Sequence, residues 1–171
     1  MPEEEHVSRR LSQLVLPVYP EHRMFRIHDP EVSPEDPGAP LPPVGVLVSA
    51  NREQLWVGSL QQEVSVRVVI EEWDGQPLLP ESWDEEAKAR LHLRGYLSLD
   101  MGSVGKAVSG LRLSGGVGGY EVRVYARYRE RVQKLYSELH QHSDPLSDEF
   151  QREKRKLEGV ERYLIQLWRD S

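Results

Sequence analysis

The chain has 171 residues, no cysteine and a net charge of −6, and this length is typical of one domain with its own core. The lack of cysteine excludes disulfides, thiolate catalysis and cysteine-based zinc sites. The acidic balance disfavours direct nucleic-acid binding, although residues 91–171 alone carry 14 basic and 11 acidic side chains.

Two short strands are predicted near the N-terminus, at residues 13–19 and 24–28, with a turn at Pro20 between them. Pro17 lies inside the first strand and cannot donate a hydrogen bond to a sheet, so we expect this strand at an edge. A loop with six prolines follows at residues 29–43. Its composition predicts a surface excursion or a disordered segment.

Alternating apolar residues predict strands through the middle of the chain. These strands are predicted at residues 44–49, 55–57, 64–70, 91–99 and 120–128. Residues 108–114 are expected to pair with the last of them in a hairpin. The glycine-rich segment 115–119 would form the turn of that hairpin.

The period of the apolar residues changes after residue 128. Helical spacing then predicts an amphipathic helix over residues 129–141. A second helix is predicted to begin at Ser143 or Asp144, just before Pro145, and to end near residue 158. An apolar strand at 160–168 closes the chain.

These elements predict a mainly β fold. Seven to nine strands separated by turns, without regular alternation of helix and strand, are typical of an antiparallel β-sandwich. The two helices would form an insertion, residues 129–158, before the last strand. We expect residues 1–171 to form a single domain.

No catalytic or metal-binding motif is found in the sequence. Gly105-Lys106 is followed by Ala107 instead of Ser or Thr, so no phosphate loop is present, and both the HExxH motif and the serine elbow are missing. Paired carboxylates stay open, because any two of the 28 acidic residues can converge in space. We expect a protein that is not an enzyme and that needs no cofactor or metal.

The segment 71–86, the acidic-aromatic stretch, stands out because it holds seven acidic residues, two tryptophans and no basic residue. Acidic side chains around tryptophans suit recognition of a basic protein surface. The candidate partner-binding residues are Glu71, Glu72, Trp73, Asp74, Trp83, Asp84, Glu85 and Glu86. Two alternatives stay open: a sugar or small-molecule site, and a solvated loop whose tryptophans fold back over the end of the sandwich.

The order of strands resembles that of the competence-J family of nuclease inhibitors and of related uncharacterised bacterial β-sandwich proteins. The matching segments are residues 18–20, 24–27, 64–70, 97–99, 119–126 and 161–168. Members of that family bind and silence a cognate DNA-degrading enzyme. The resemblance implies a β-sandwich and an inhibitor or immunity role, and it carries over no functional residue. The proline-rich loop and the helical insertion depart from the family's compact pattern.

The hypothesis from the sequence is an inhibitor or immunity-type protein that occludes a basic partner such as a nuclease or toxin. One alternative is a scaffold subunit of a larger bacterial assembly, which would dock through the helical insertion. Another is a small-ligand binding module. A cytoplasmic location is expected, because the N-terminus is acidic and no apolar run reaches the roughly 18 residues of a membrane span.

Overall fold

A computed structural model describes residues 7–31 and 40–170. The strands are β1 (Arg10–Val18), β2 (Met24–His28), β3 (Val48–Ala50), β4 (Gln54–Gly58), β5 (Val66–Trp73), β6 (Glu85–Asp100), β7 (Lys106–Arg127) and β8 (Arg162–Arg169). Two helices, α1 (Arg129–His142) and α2 (Asp148–Leu157), lie between β7 and β8. The mainly β composition and the helical insertion before the last strand are confirmed. Most of the predicted proline-rich loop, residues 32–39, lies outside the described residues.

The eight strands form one open sheet in the order β1-β5-β8-β7-β6-β2-β4-β3. The sheet is mixed, because β5 and β8 run parallel whereas the other neighbouring strands are antiparallel. The predicted purely antiparallel sandwich was therefore wrong in its pairing. Alternation of apolar residues reveals a strand but not its partner, and parallel neighbours need only a long connection between them.

Strand β7 is one long strand, and the predicted hairpin through residues 115–119 was wrong. It pairs with β6 along almost its whole length, and the turn between the two strands lies at residues 101–105. The register shifts between Arg94 and Tyr96, where Gly95 and Gly116 lie against each other with φ angles of 97° and 69°. Glycine adopts these angles at no steric cost. The glycine-rich segment therefore forms a bulge that bends a continuous ladder.

The sheet curves around one core. Phe25 of β2 packs edge-on against Tyr163 of β8 with ring centroids 5.3 Å apart, although two strands separate β2 from β8 in the sheet. Val66 and Val68 of β5 and Val124 of β7 are fully buried in this core. We call the side of the sheet that carries these buried residues the inner face.

The opposite side of β5, β8, β7 and β6 is the outer face. The connection from β5 to β6, residues 74–84, must pass β8 and β7, and we call it the crossing loop. Its Trp83 ring packs against Tyr125 of β7, with centroids 6.2 Å apart. Tyr125, Leu164 and Trp168 are buried on this face, and Pro77 of the loop is buried as well.

The helical insertion follows the sequence pattern closely. Helix α1 begins at residue 129 as predicted, and its Val132 is fully buried. Helix α2 begins later than predicted, because Asp144 forms a turn and Ser147 is the cap that accepts a hydrogen bond from the Phe150 amide at 3.1 Å. Within residues 7–31 and 40–170, no helix has the length and apolar character to span a bilayer.

Candidate partner-binding surface

The sheet register separates the two ends of the acidic-aromatic stretch. Trp73 of β5 is in register with Trp168 of β8. Trp168 is in turn in register with Glu121 of β7. Glu85 is level with Ala126 on β7. At about 3.3 Å per residue and about 4.8 Å per strand, the two ends lie on the order of 20 Å apart. The eight candidate residues therefore do not form one cluster.

Glu71 is a structural residue of the outer face, with only 6% of its surface exposed. Its carboxylate accepts hydrogen bonds from Arg10 (3.2 Å), Gln13 (3.0 Å), the Trp73 indole (3.2 Å) and Gln166 (3.1 Å). These bonds join the edge strand β1 to β5 and β8. They leave Glu71 little capacity to receive a donor from a partner.

Glu72 points to the inner face and is 2% exposed. Its two carboxylate oxygens accept the backbone amides of Ser114 and Gly115 at 2.8 and 2.9 Å. The carboxylate thus holds the bulged segment of β7 in place, because those amides lie where the ladder to β6 is interrupted. Neither Glu71 nor Glu72 is accessible to a second protein.

Asp74 and Asp84 cap the two ends of the crossing loop. The Asp74 carboxylate accepts the Arg9 amide at 2.7 Å, and the Asp84 carboxylate accepts the Tyr128 amide at 3.0 Å. Both side chains belong to exposed residues. Their role within the fold is to fix where the loop leaves β5 and where it enters β6.

Glu85 forms an ion pair with the buried Arg129, the first residue of α1. Their side chains are 2.7 Å apart, and the Arg129 side chain is 2% exposed while that of Glu85 is 40% exposed. The Arg129 guanidinium also lies 3.4 Å from the Gly45 carbonyl oxygen. Glu85 therefore anchors the start of the helical insertion to the sheet.

Trp83 and Glu86 remain available at the surface. Trp83 is half-buried against Tyr125, and Glu86 is exposed and lies opposite Tyr125 on the neighbouring strand. A shallow depression of about 330 Å³ lies between the crossing loop and Tyr125. Trp83 and Glu86 both line this depression, together with Leu79.

The most exposed apolar residues of the crossing loop were missed from the sequence. Leu78 and Leu79 are 84% and 69% exposed. They lie between Pro77 and Pro80, and this Pro-Leu-Leu-Pro pattern was the available signal. The flanking prolines restrict the backbone on both sides of the leucine pair. The two leucines form a small exposed apolar patch on the loop.

The geometry does not favour a small-ligand site in the acidic-aromatic stretch. Trp73 does not line the depression beside Trp83. The four buried carboxylates of the described residues all accept hydrogen bonds, and these acids are Asp29, Glu71, Glu72 and Glu161. A larger groove of about 450 Å³ lies beside α1, and none of the candidate residues lines it. In the part of the chain described, no three His, Asp or Glu side chains are placed to hold a metal ion.

No protein-family model and no curated protein matches the sequence. Solved structures with a similar fold include ComJ, the inhibitor of the DNA degrading activity of NucA, from Bacillus subtilis. It has 9% sequence identity and a TM-score of 0.55, and the match covers 96% of this chain and 99% of ComJ. The chain shares the fold of ComJ. The resemblance to the competence-J proteins is thus confirmed in structure.

A second structure with this fold is described as crocagin biosynthetic gene J. It has 14% identity and a TM-score of 0.54, with 96% of this chain and 99% of that chain covered. Both matches span nearly the whole length of each chain. At these identities the comparisons show the fold and carry over no functional residue.

Proposed function

We propose that this protein is a non-enzymatic inhibitor or immunity-type protein that binds another protein and occludes its working surface. The observation that carries this proposal is the crossing loop, which presents Leu78 and Leu79 to solvent beside Trp83. The fold shared with an inhibitor of a DNA-degrading enzyme supports the same class of function.

The interface we propose has an apolar centre and an acidic rim. Leu78, Leu79 and Trp83 form the centre, and Glu81 and Glu86 are exposed on either side. Interfaces concentrate their binding energy in such an apolar centre, and a typical one buries about 800 Å² on each partner. Prolines at both ends of the leucine pair reduce the entropy that the loop loses on binding.

The partner we propose has a basic surface. No basic residue lies between Val68 and Ala87, so the carboxylates of the loop are not neutralised within it. Charge complementarity of this kind raises the association rate at low salt. We therefore expect the association rate to fall as salt is added, while the dissociation rate changes less.

The test begins with the partner that the tagged protein retains from its native cells. The partner is identified by mass spectrometry, purified and recombined with the wild-type chain, and both its affinity and its own catalytic activity are measured. The proposal predicts that saturating wild-type protein abolishes the partner's activity. The double variant L79S/W83A should bind at least about tenfold more weakly.

The matched control is Leu146→Ser, which also removes an exposed leucine, 92% exposed in the turn between α1 and α2. This variant should bind and inhibit as the wild type does. A partner that stays fully active when bound would contradict the inhibitor proposal. Equal binding by L79S/W83A and the wild type would contradict the placement of the interface.

A scaffold function through the helices is the second candidate. Leu146 is the most exposed of the large apolar residues described, and an apolar groove of about 310 Å³ between α1 and α2 is lined by Leu135, Leu139 and Leu157. In that case Leu146→Ser should weaken partner binding, whereas L79S/W83A should not. The two candidates thus give opposite results with the same pair of variants.

A further inference from the structure

Three arginines stand side by side on the outer face. Arg127 of β7 is in register with Arg162 of β8, and Arg162 is in register with Arg67 of β5. We call these three residues the arginine row. Arg67 and Arg162 are exposed, and Arg127 is half-buried.

The row has no acidic partner among the described residues. None of its guanidinium groups lies within 4.0 Å of a carboxylate of the described residues. Other basic side chains of the described residues form nine such ion pairs. Asp84 precedes β6 beside the end of β7, but its carboxylate accepts the Tyr128 amide. Like charges directly opposite each other destabilise a sheet, so placing the three charges side by side does not itself stabilise the fold.

The guanidinium of Arg127 is held in position before any ligand arrives. It lies 4.4 Å from the centre of the Tyr128 ring, and Arg131 lies 5.6 Å from the same ring. Such cation–π contacts favour one orientation of a guanidinium and leave its N–H groups free to donate. One end of the row is therefore pre-ordered.

An apolar stripe runs beside the arginine row across the same strands. Tyr125, Leu164, Val69 and Val15 occupy consecutive register positions on β7, β8, β5 and β1. Val15 is 46% exposed and Val69 is half-buried. Tyr125 and Leu164 are buried, so the accessible apolar part of this stripe is Val69 and Val15, beside Arg67.

We propose that the arginine row and this stripe bind an acidic segment of another protein. Guanidinium groups form two parallel hydrogen bonds with a carboxylate, and arginine is enriched in protein interfaces for this reason. The apolar stripe suits side chains that alternate with the carboxylates of an extended segment. The apolar residues beside the row favour a peptide over a nucleic acid, and the experiment includes a nucleic acid as the competing outcome. The inference does not rest on the function proposed for the crossing loop.

The experiment uses the full chain and a fluorescein-labelled peptide of alternating glutamate and leucine, measured by fluorescence anisotropy at low salt. A single-stranded oligonucleotide of equal length is the second probe. The wild type should bind the peptide more tightly than the oligonucleotide. The double variant R67Q/R162Q should bind the peptide at least about tenfold more weakly.

The matched control is K106Q/R112Q, which removes two exposed positive charges from the other end of β7. This variant should bind the peptide as the wild type does. Equal loss of affinity in both double variants would overturn the proposal, since only net charge would then matter. Preference for the oligonucleotide, or no binding of the peptide by the wild type, would overturn it as well.

Thermal stability gives a second, independent measurement on the same variants. A binding role predicts that R67Q/R162Q unfolds at the same temperature as the wild type or about 2 °C higher, because repulsion between the guanidinium groups is relieved. A melting temperature several degrees lower would mean that the row supports the fold, and would overturn the proposal.

Discussion

The hydroxyl group of Tyr163 donates a 2.5 Å hydrogen bond to Oε2 of Glu161, and neither side chain has any exposed surface. The Ser59 hydroxyl donates to the same oxygen at 2.6 Å, and the Gln61 amide reaches the other oxygen at 3.4 Å. Burial raises the pKa of Glu161 above its ordinary value of 4.5, and the three hydrogen bonds oppose that shift. The result is a buried acid at the junction of the sheet and the helical insertion.

Glu161→Gln should change how stability depends on pH. Because the pKa of Glu161 is raised in the folded state, the folded protein holds the proton more tightly than the unfolded chain does. The contribution of Glu161 to the free energy of unfolding is therefore greatest at a pH below its ordinary pKa of 4.5. It is lost as the pH rises through the raised pKa of the folded state. We expect the stability of the wild type relative to E161Q to decline over that window.

Urea unfolding of both proteins from about pH 4 to about pH 8 measures this difference. The control is Glu81→Gln, which alters an exposed carboxylate and should give a nearly constant difference from the wild type. A wild-type advantage over E161Q that grows with pH would mean that the ionised carboxylate is favoured in the fold, contrary to our expectation.

Tyr163→Phe tests the hydrogen bond without disturbing the packing. The ring keeps its contact with Phe25, while Glu161 loses its shortest hydrogen bond. Removing one partner from a buried polar group costs about 1–3 kcal/mol. We expect a loss of that size in the free energy of unfolding at neutral pH. Tyr96→Phe, at a position that is 47% exposed, should change it by less than about 0.5 kcal/mol.

Glu72→Ala should release the bulged part of β7. The Ser114 and Gly115 amides would lose their acceptor, at a cost of about 1–3 kcal/mol. Amide hydrogen exchange at these two residues should become faster than in the wild type, while exchange at Val124 in the same strand should not change. Glu86→Ala, which removes an exposed carboxylate, should leave both rates unchanged. Unchanged exchange in E72A would mean that the strand pairing alone holds this segment.

Local patterns in the sequence predicted the individual elements well. The strand at 24–28 and the start of the first helix at residue 129 agree with β2 and α1. Each depends on neighbours within a few residues, through the period of apolar side chains. The alternation along β5 also indicates that Glu72 points inward, because residue 72 continues the series of Val66, Val68 and Ile70.

Long-range pairing was not contained in those patterns. The glycines at 115–119 are typical of a turn, but β6 supplies a partner along the whole of residues 106–127 and makes them a bulge. The parallel pairing of β5 with β8 depends on chain segments nearly 100 positions apart. The arginine row was missed for the same reason, since its members come together only through this pairing.

Glu85 and Glu86 are adjacent acids with opposite roles, and their comparison separates folding from binding. Glu85→Gln weakens the ion pair of the buried Arg129, and a hydrogen bond to a charged group contributes about 1.5–3 kcal/mol. Because the Glu85 side chain is 40% exposed, we expect a loss of about 1 kcal/mol in the free energy of unfolding. Glu86→Gln should change it by less than about 0.5 kcal/mol.

Binding should show the reverse order. Glu86→Gln should slow association with a basic partner at low salt, and the effect should vanish at high salt. Glu85→Gln should change the association rate only through the loosened start of α1. Stopped-flow association rates and urea unfolding, measured on the same two variants, give both comparisons. Equal stability loss in the two variants would refute the anchoring role of Glu85, and equal association rates would refute the steering role of Glu86.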